Sequence, residues 1–251
     1  MHEFTCNICN AACRVESLQR EGPGCSQCRH SLRHRWIVHA LSAEFFGTSI
    51  PLPEFPVRKD IRGMGLSDSP LIAEAFSKCF AYQNTFYDRE PRFDIMEDAG
   101  EAQFDFIIAS EVFEHVEPPV QKAFNNLARL LKPGGVAIFT VPWNTEGDTV
   151  EHFPNLHDWQ LVSLRSGRVL VNRTADGRLE TFQDLVFHGC PGSALEMRNF
   201  SISGLVANCR AAKFSEIAVA EDYPAWGIVD DPWSRGLTLR KQPSLLVRKR
   251  D

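Results

Sequence analysis

Two strand-length, largely apolar runs dominate the hydrophobic pattern of this chain, at residues 104–109 and 136–141. Runs without regular polar alternation are typical of parallel strands that are buried on both faces of a sheet. The segment between them has apolar residues at the spacing of one helical face, namely Val120, Phe124, Leu127 and Leu131. The pattern predicts a strand–helix–strand unit with a right-handed crossover, whose first strand is central in a parallel sheet.

The residues at the two ends of this helix fit the same prediction. Pro118 and Pro119 stand where a helix can begin, since proline is tolerated in the first turn. The stretch 132–135, Lys-Pro-Gly-Gly, places a cation at the negative end of the helix dipole and then residues that cannot continue the helix. The helix is therefore expected to stop there.

The rest of the chain predicts further strands and helices. A strand at 57–62 is expected to run into a turn at Gly63-Met64-Gly65 and then into a helix begun by Ser69 and Pro70. The other expected elements are a helix at 31–47, a proline-rich linker at 48–56, a strand at 80–83, a hairpin with strands at 169–171 and 179–182, a helix at 200–209 and a last antiparallel pair at 214–220 and 244–248.

Length and charge narrow the class of protein. A chain of 251 residues can bury one full core, with a small appendage. The net charge of −5 argues against general nucleic-acid binding, which needs clustered positive charge. Because no apolar run reaches the ~20 residues of a membrane span and no signal peptide opens the chain, we expect a soluble, cytoplasmic protein without a membrane partner. The oligomeric state is left open.

Four of the eight cysteines form two Cys-x-x-Cys pairs, Cys6 with Cys9 and Cys25 with Cys28, separated by fifteen residues. Each pair can hold one side of a tetrahedral ion, so the spacing predicts a closed, structural zinc site. Disulfides are the alternative, which a cytosolic protein disfavours. Cys13 and His30 lie close enough in sequence to replace one ligand, whereas the isolated Cys79, Cys190 and Cys209 are expected to be small buried hydrophobes.

The helix expected at 31–47 has an unusually basic start. Ser31 can cap it and Gly47 can end it, and its first turn is crowded by Arg29, Arg33, His34 and Arg35. Cations at a helix N-terminus oppose its dipole and need a partner. They could bind a phosphate-bearing substrate, or they could be solvated or form salt bridges to the next domain.

The stretch FDFIIASEVFEHV, followed by LARLLKPGGVAIFTVP, resembles the fourth and fifth strands of the class I S-adenosylmethionine-dependent methyltransferases. That resemblance implies an α/β, Rossmann-like fold, with a mostly parallel seven-stranded sheet and helices on both faces, and S-adenosylmethionine as cofactor. The cysteine segment leading into CRHSLRHR is similar to the N-terminal segment of a group of bacterial methyltransferases. We therefore expect a zinc-ribbon segment with its following helix at 1–47 and a methyltransferase domain at 48–251.

The resemblance also implies cofactor-binding residues, and the chain departs from the family at two of them. Gly63 and Gly65 are expected to let the backbone approach the cofactor, but Arg62 stands where the family has an acidic residue. The family's ribose-binding carboxylate is missing, and Asn84, Thr85 or Asp88 could replace it. The remaining positions implied to border the cofactor are Asp94 and Ile95 at the adenine, and Ser110 and Glu111 at the end of the central strand.

Two histidines are candidates for the chemistry. His115 follows the central strand and His152 lies on the loop after the next strand, so both can reach the same edge of the sheet. Histidine accepts a proton near neutral pH, and Glu114 or Glu151 could orient a ring. Each histidine could act as a general base on the acceptor or only hold its loop by hydrogen bonds.

The predicted reaction is in-line attack of a nucleophile on the sulfonium methyl group, with catalysis mainly by positioning. The acceptor could be a sugar, a nucleotide sugar, another small metabolite or a protein residue. Two other classes stay open at this stage. One is a non-catalytic, zinc-mediated interaction module on a degenerate cofactor fold, and the other is a nicotinamide-dependent oxidoreductase, against which the missing third glycine argues.

Overall fold

The computed structural model describes residues 1–18, 22, 24–97, 100–189, 194–229 and 236–242. In chain order the strands and helices are β1 His2–Thr5, β2 Ala12–Val15, α1 Leu32–Phe46, β3 Arg58–Leu66, α2 Pro70–Cys79, β4 Phe80–Thr85, β5 Phe104–Ser110, α3 Gln121–Leu130, β6 Leu131–Thr140, β7 Trp143–Asn144, β8 Val150–Glu151, β9 Asp158–Leu164, β10 Gly167–Arg173, β11 Leu179–Phe182, β12 Phe187–His188, β13 Ala194–Leu195, β14 Arg198–Ser201, α4 Ile202–Ala211, β15 Phe214–Val219 and β16 Leu237–Lys241.

Six of these strands form the central sheet, in the order β15-β16-β6-β5-β3-β4. Strands β3 to β6 run parallel, while β16 is antiparallel to β6 and β15 is antiparallel to β16. The parallel pairs follow from the crossovers through α2 and α3, and β5 is central, as the apolar run at 104–109 predicts. The mixed sheet with its helices fits a Rossmann-like α/β fold.

The predicted seven-stranded sheet is not confirmed, because the described residues supply six strands to it. Between β4 and β5, the described residues 86–97 and 100–103 form an isolated bridge between Phe86 and Arg92 and no further strand. The segment between β4 and β5 is rich in charged residues and contains Pro91, which cannot donate a ladder hydrogen bond. It has too few consecutive apolar residues to form another buried strand.

Alternate residues of β5 face two different hydrophobic clusters, one on each side of the sheet. Ile107 and Ala109 pack in the cluster that contains Phe124 and Leu127 of α3. Phe106 and Ile108 pack in the cluster that contains helices α1 and α2. The side-chain period of two along a strand explains the alternation. Helices therefore cover both faces of the sheet, as predicted.

The N-terminal segment packs on the face formed with α1 and α2. Helix α1 begins after Ser31 and ends at Gly47, whose φ of 69° is the left-handed closure that its sequence predicts. Buried Trp36 and Leu41 lie in the same cluster as Phe80 and the β5 side chains. The division into parts at residue 47 stays a prediction, and the two parts share this one core.

The later part of the chain contains smaller sheets. The hairpin expected at 169–182 is confirmed, since β10 pairs antiparallel with β11 and also with β9. Helix α4 begins at Ile202 rather than residue 200, because residues 198–201 form β14 between β7 and β8. The last strand of the described chain is β16, whereas the strand predicted at 244–248 and the thiol of Cys190 lie outside the described residues.

None of the helices in the described part of the chain combines the length and the hydrophobicity that a membrane crossing requires.

Candidate cofactor cleft, cysteine cluster and histidine cluster

A cleft of about 330 Å³ opens at the carboxyl ends of β3 and β5. Ligands bind at this edge of open α/β sheets, because the loops that follow the strands converge there. Three parts of the chain line the cleft: helix α1, the turn between β3 and α2 and the end of β5. The lining residues are Arg33, His34, Ile37, Ser67, Asp68, Ser69, Ile72, Ser110, Glu111 and Val112.

Ser110 and Glu111, two of the predicted cofactor residues, line this cleft and belong to one hydrogen-bond network. The Ser110 hydroxyl accepts a hydrogen bond from the Arg33 guanidinium and lies 2.8 Å from Thr140 Oγ1. Thr140 Oγ1 also lies 2.8 Å from Glu111 Oε1 and donates to it. The network fixes both side chains at the cleft wall. Their contact with a cofactor stays a prediction.

The expected turn at Gly63-Met64-Gly65 is wrong, because both glycines lie inside β3. A Cβ atom at Gly63 would lie 2.1 Å from the ring of Phe106, and one at Gly65 would lie 1.9 Å from the hydroxyl oxygen of Tyr82. A side chain at either position would therefore force these neighbouring groups to shift. The turn lies farther on, at Ser67, whose φ is 62°. Neither glycine lines the cleft.

Asp68 is a cleft residue that sequence reasoning missed. Burial raises the pKa of its carboxyl group to about 7, although the Tyr82 hydroxyl, which donates to it, and the nearby Arg33 both lower it. The signal that could have found it is its position, directly after β3 where the family's first loop begins. It supplies an acidic group near the place where Arg62 breaks the family pattern.

Asn84, predicted to bond the ribose, holds the Asp68 turn instead. Its Oδ1 atom accepts from the Asp68 N–H at 2.9 Å, and its Nδ2 atom donates to the Asp68 carbonyl at 3.0 Å. Thr85 donates its hydroxyl to the Gly65 carbonyl within the sheet. Both side chains are engaged with the backbone, so the ribose contact stays a prediction without support from these hydrogen bonds.

Asp94 and Ile95, predicted at the adenine, do not line the cleft. Asp94 Oδ1 accepts from the N–H of Met96 at 2.8 Å, as a turn-capping aspartate does. Ile95 is 4% exposed and packs in the cluster on the α3 face. The Asn126 amide donates to the Ile95 carbonyl at 2.7 Å and fixes this loop against α3. The adenine role of both residues stays a prediction.

The basic side chains in the first turn of α1 make two kinds of contact. Arg35 is fully buried and donates to the carbonyls of Trp226 and Gly227 at 2.8 and 3.0 Å, so it holds the fold together. Arg33 and His34 line the cleft instead. Burial, together with the charge of Arg33, lowers the pKa of His34 to about 3, so its ring is neutral at pH 7.

The four predicted zinc ligands come together in one cluster, in which the sulfur atoms of Cys6, Cys9, Cys25 and Cys28 lie within 4.8 Å of one another. Cys6 Sγ lies 3.7 Å from Cys28 Sγ, and Cys9 Sγ lies 3.5 Å from Cys25 Sγ. A tetrahedral zinc ion with Zn–S bonds of about 2.3 Å would separate its sulfur ligands by roughly 3.8 Å. The donor set and its spacing therefore fit zinc.

Hydrogen bonds at the second pair favour a thiolate. The N–H groups of Gln27 and Cys28 donate to Cys25 Sγ at 3.3 and 3.5 Å. Burial raises the pKa of the Cys25 thiol, but these donors and the neighbouring thiols outweigh it and bring the pKa to about 6. All seven cysteines in the described part of the chain are free, so the disulfide alternative finds no support there.

The two proposed substitute ligands have other contacts. Cys13 Sγ lies 3.5 Å from the Ala11 carbonyl, and His30 bridges the Cys28 carbonyl and the Ser69 hydroxyl at 3.0 and 2.8 Å. Among the described residues, β1 and β2 form a hairpin around the first cysteine pair, while the second pair leads directly into α1. A zinc ribbon as such is not confirmed.

His115 and His152 do reach one place, through a set of residues that we call the histidine–glutamate cluster: Glu114, His115, His152, His188 and Glu196. The His115 and His188 ring centroids are 5.2 Å apart. Glu196 lies between His152 and His188, with one carboxylate oxygen 2.8 Å from His152 Nε2 and the other 3.0 Å from His188 Nε2. His115 and His152 are thus linked through His188 and Glu196, which the sequence did not predict, and their catalytic roles stay predictions.

The orienting carboxylates differ from the expected ones. Glu151, expected to orient His152, instead forms an ion pair with the buried Arg198 at 2.6 Å. Glu196 is the carboxylate that contacts His152. Glu114 is fully buried with one oxygen 3.7 Å from His115 Nε2. Burial lowers the pKa of His115, and the nearby His188 adds to this effect, against the contact with the Leu195 carbonyl. The net effect favours the neutral form of the His115 ring.

Residues 60–175 match the model of a methyltransferase domain family. No functionally curated protein matches the sequence of this chain. Among solved structures, the chain is similar to a 1,6-didemethyltoxoflavin-N1-methyltransferase from Burkholderia thailandensis, with 15% identity, 84% of this chain and 78% of the other covered, and a TM-score of 0.47. An amino pentose methyltransferase from Micromonospora echinaspora shows 14% identity, 85% and 92% coverage and a TM-score of 0.47.

A third structure, a S-adenosylmethionine-dependent methyltransferase from Clostridium acetobutylicum, shows 12% identity, 72% and 84% coverage and a TM-score of 0.44. The family match locates the similarity within the chain. That match begins inside β3 and includes the crossover from β5 to β6 and the loop that carries His152. Residues 60–175 are thus similar to that family, and the match supports a class I S-adenosylmethionine-dependent methyltransferase domain.

Proposed function

We propose that this protein transfers a methyl group from S-adenosylmethionine to a small-molecule acceptor. The observation that carries the proposal is the cleft at the carboxyl ends of β3 and β5, because seven of its ten lining residues, from Ser67 to Val112, belong to the part of the chain that matches a methyltransferase domain. The cleft joins a buried carboxyl group, an arginine and a hydroxyl, the groups that can bind the charged end of a methionine moiety. Two members of the histidine–glutamate cluster, Glu114 and His115, follow β5 by four and five residues.

Asp68 and Arg33 are the proposed partners of the methionine end. Methionine carries an ammonium and a carboxylate, and these pair with a carboxylate and a guanidinium. Asp68 stands in for the acidic residue that the family has before its first glycine, and Arg33 is held over the same cleft by Ser110. Asn84 supports this arrangement by fixing the Asp68 turn.

The other residues predicted to bind the cofactor are proposed to do so as the sequence suggests, except that the two glycines act indirectly. Ser110 and Glu111 form the wall under the methionine, and the segment with Asp94 and Ile95 borders the adenine. Gly63 and Gly65 act indirectly, since they permit the close packing of β3 with its neighbours that brings the Asp68 turn to the cleft. The cofactor therefore depends on them through the fold.

His152 is the proposed general base. Glu196 binds its Nε2 atom, which leaves Nδ1 to accept a proton from the acceptor, an arrangement of base and orienting carboxylate that recurs in enzymes. As the acceptor oxygen or nitrogen attacks, a bond to the methyl carbon forms, the carbon–sulfur bond breaks and its electrons stay on sulfur. The acceptor's proton passes to the imidazole. His115, the second catalytic candidate, is proposed to border the acceptor as part of the same cluster.

The cysteine cluster is proposed to hold one structural zinc ion. Four thiolates close the coordination sphere and leave no position for water, so the ion would stabilise the N-terminal segment and take no part in the transfer. Elemental analysis of protein prepared without chelator is expected to find this zinc. Its absence would overturn the assignment.

The acceptor class rests on the late part of the chain. The segment after β6, with β7 to β14, adds small sheets next to the histidine–glutamate cluster, where insertions that select a substrate commonly lie. We propose a sugar, a nucleotide sugar or another small metabolite.

Calorimetric titration with S-adenosylhomocysteine tests the proposal. We expect binding to the unmodified chain and a loss of affinity on the order of 10-fold to 100-fold in Asp68→Asn, because one charge-assisted hydrogen bond contributes about 1.5–3 kcal/mol. Asp148→Asn, at an exposed aspartate outside the cleft lining, is the matched control. Failure to bind this ligand would favour the non-catalytic module, and binding of a nicotinamide cofactor instead would favour the oxidoreductase.

A further inference from the structure

Two rings of the histidine–glutamate cluster each face a hydrogen-bond acceptor through one nitrogen. His115 Nδ1 lies 2.9 Å from the Leu195 carbonyl oxygen, and His188 Nε2 lies 3.0 Å from Glu196 Oε2. Since a carbonyl and an ionised carboxylate only accept, these two nitrogens carry the hydrogen in the neutral rings. His115 Nε2 and His188 Nδ1 are therefore left with lone pairs.

Glu114 brings a carboxylate to the same place. Its side chain is fully buried, and its Oε1 atom lies 3.7 Å from His115 Nε2. One ligand atom from each of Glu114, His115 and His188 lies within 4.8 Å of the others. An ion bound about 2.0–2.2 Å from nitrogen and oxygen ligands joins atoms that are roughly 3–4.4 Å apart, so small side-chain rotations suffice.

We propose that Glu114, His115 and His188 bind a divalent transition-metal ion of the zinc type. Two imidazoles and one carboxylate form the ligand set of many zinc enzymes and of non-haem iron sites. The hydrogen bonds of the second ring nitrogens also fit, because metal-bound histidines usually donate a hydrogen bond from that N–H group to a carbonyl or a carboxylate. Leu195 and Glu196 accept those hydrogen bonds here.

The backbone holds the three ligands in place. The N–H of Met197 donates to the Glu114 carbonyl at 2.7 Å, which joins the turn after β5 to the segment after β13. His188 pairs with Ala194 in the short ladder between β12 and β13. Both ligand-bearing segments are thus tied to residues 194–197, and the ligand set is organised before an ion binds.

Exposure of the ligands increases from Glu114 to His188. The side chains are 0%, 17% and 35% exposed for Glu114, His115 and His188. A three-ligand ion here keeps an open position toward solvent, which could hold water or an acceptor oxygen. Any part of the ion in methyl transfer rests on the proposed function, whereas the binding site rests on geometry alone.

Cobalt titration of the full chain, with the cysteine cluster already filled with zinc, tests this site. We expect one cobalt ion per chain to bind, with the weak visible bands of nitrogen and oxygen ligands and without a thiolate charge-transfer band. His188→Gln should weaken this binding on the order of 100-fold or more, since losing a ligand costs more than losing an outer partner. His157→Gln, at an exposed histidine outside the cluster, should leave binding unchanged.

Three results would overturn the proposal: no cobalt bound beyond the cysteine cluster, a thiolate band, or equal binding by His188→Gln. Glu196→Gln keeps the shape of the side chain and serves if His188→Gln fails to fold; it should bind cobalt roughly 10-fold to 100-fold more weakly. Unchanged binding by that variant would also contradict the site. Because the measurement is metal binding, a chain that binds S-adenosylhomocysteine but no cobalt would retain the proposed function and lose only this inference.

Discussion

At the scale of single residues, Asp68 shows how burial changes an ionisable group. Its carboxyl group lies at the cleft with a hydroxyl donor from Tyr82 and the charge of Arg33 nearby, and burial still raises its pKa to about 7. A carboxyl group of this kind favours the protonated form without ligand and the ionised form beside an ammonium group. Such a shift is typical of binding and catalytic sites.

The stability of the ligand-free protein should therefore depend on pH through Asp68. The pKa of Asp68 in the folded protein lies above the usual value of 3.8. The contribution of this carboxyl group to the free energy of unfolding is therefore fully present below about pH 4 and is lost as the pH rises through 7. Relative to the unmodified chain, Asp68→Asn should become progressively more stable over that window, by up to about 1.4 kcal/mol per pH unit. Urea unfolding at several pH values measures the difference, and parallel curves for the two proteins would contradict the shift.

His152 carries the prediction about the chemistry. Once an acceptor is known, His152→Gln should lower the turnover number roughly 10²- to 10⁴-fold while the affinity for S-adenosylhomocysteine is retained. The reason is that Glu196 orients a ring whose other nitrogen is the proposed proton acceptor. A variant with intact turnover and weakened cofactor binding would instead identify a residue that only holds its loop, and His157→Gln provides the comparison.

At the scale of elements, the glycines of β3 serve the contact between strands. A Cβ atom at Gly63 would lie 2.1 Å from the end of the Phe106 ring, in the middle of the face that α1 and α2 cover. The ring cannot move far, because Phe80 and Tyr82 lie against it with centroid distances of 5.3 and 5.8 Å. The glycine in β3 is thus explained by close packing between neighbouring strands of the sheet.

Gly63→Ala should destabilise the protein by about 1–3 kcal/mol, the usual cost of overpacking a core. Combining it with Phe106→Leu should recover part of that loss, since the shorter side chain removes the clashing ring. Denaturant unfolding of both single variants and the double variant measures the coupling. Ala81→Val, at an exposed position of the neighbouring strand, controls for added volume, and simple additivity would contradict the packing explanation.

At the scale of the whole molecule, hydrogen bonds join the N-terminal segment to the cleft at the carboxyl ends of β3 and β5. His30, two residues after Cys28, forms a hydrogen bond with the hydroxyl of Ser69, the residue before α2, and Arg33 of α1 donates to Ser110. Arg35 ties the same helix to the carbonyls of Trp226 and Gly227. The segment that the cysteines organise therefore forms one wall of the cleft.

Loss of the proposed zinc should consequently weaken cofactor binding. Cys9→Ser is expected to lower both the melting temperature and the affinity for S-adenosylhomocysteine, because α1 would no longer be held over the cleft. Ser26→Ala, at an exposed position of the second cysteine pair, is the matched control. If zinc content falls and the affinity is unchanged, the N-terminal segment is an independent unit, as a division at residue 47 would allow.

The sequence by itself determined the features that depend on neighbouring residues. The crossover from β5 to β6, helix α1 with its glycine end and the late hairpin follow from hydrophobic period, caps and turn residues, which act over a few positions. The cysteine pairs are equally local, since their spacing alone presents two sulfurs to one point. In each case the physical cause lies within one stretch of chain.

Only the tertiary structure decided which distant side chains meet. The cleft joins Arg33 of α1 to Asp68 after β3, and the histidine–glutamate cluster joins His115 to His188 and Glu196. No local pattern encodes these contacts, because they depend on strand order and on how the late loops fold over the sheet edge. The glycines show the same limit: in sequence Gly63 and Gly65 resemble a cofactor turn, and only their neighbours across the sheet, the Phe106 ring and the Tyr82 hydroxyl, reveal why no side chain fits there.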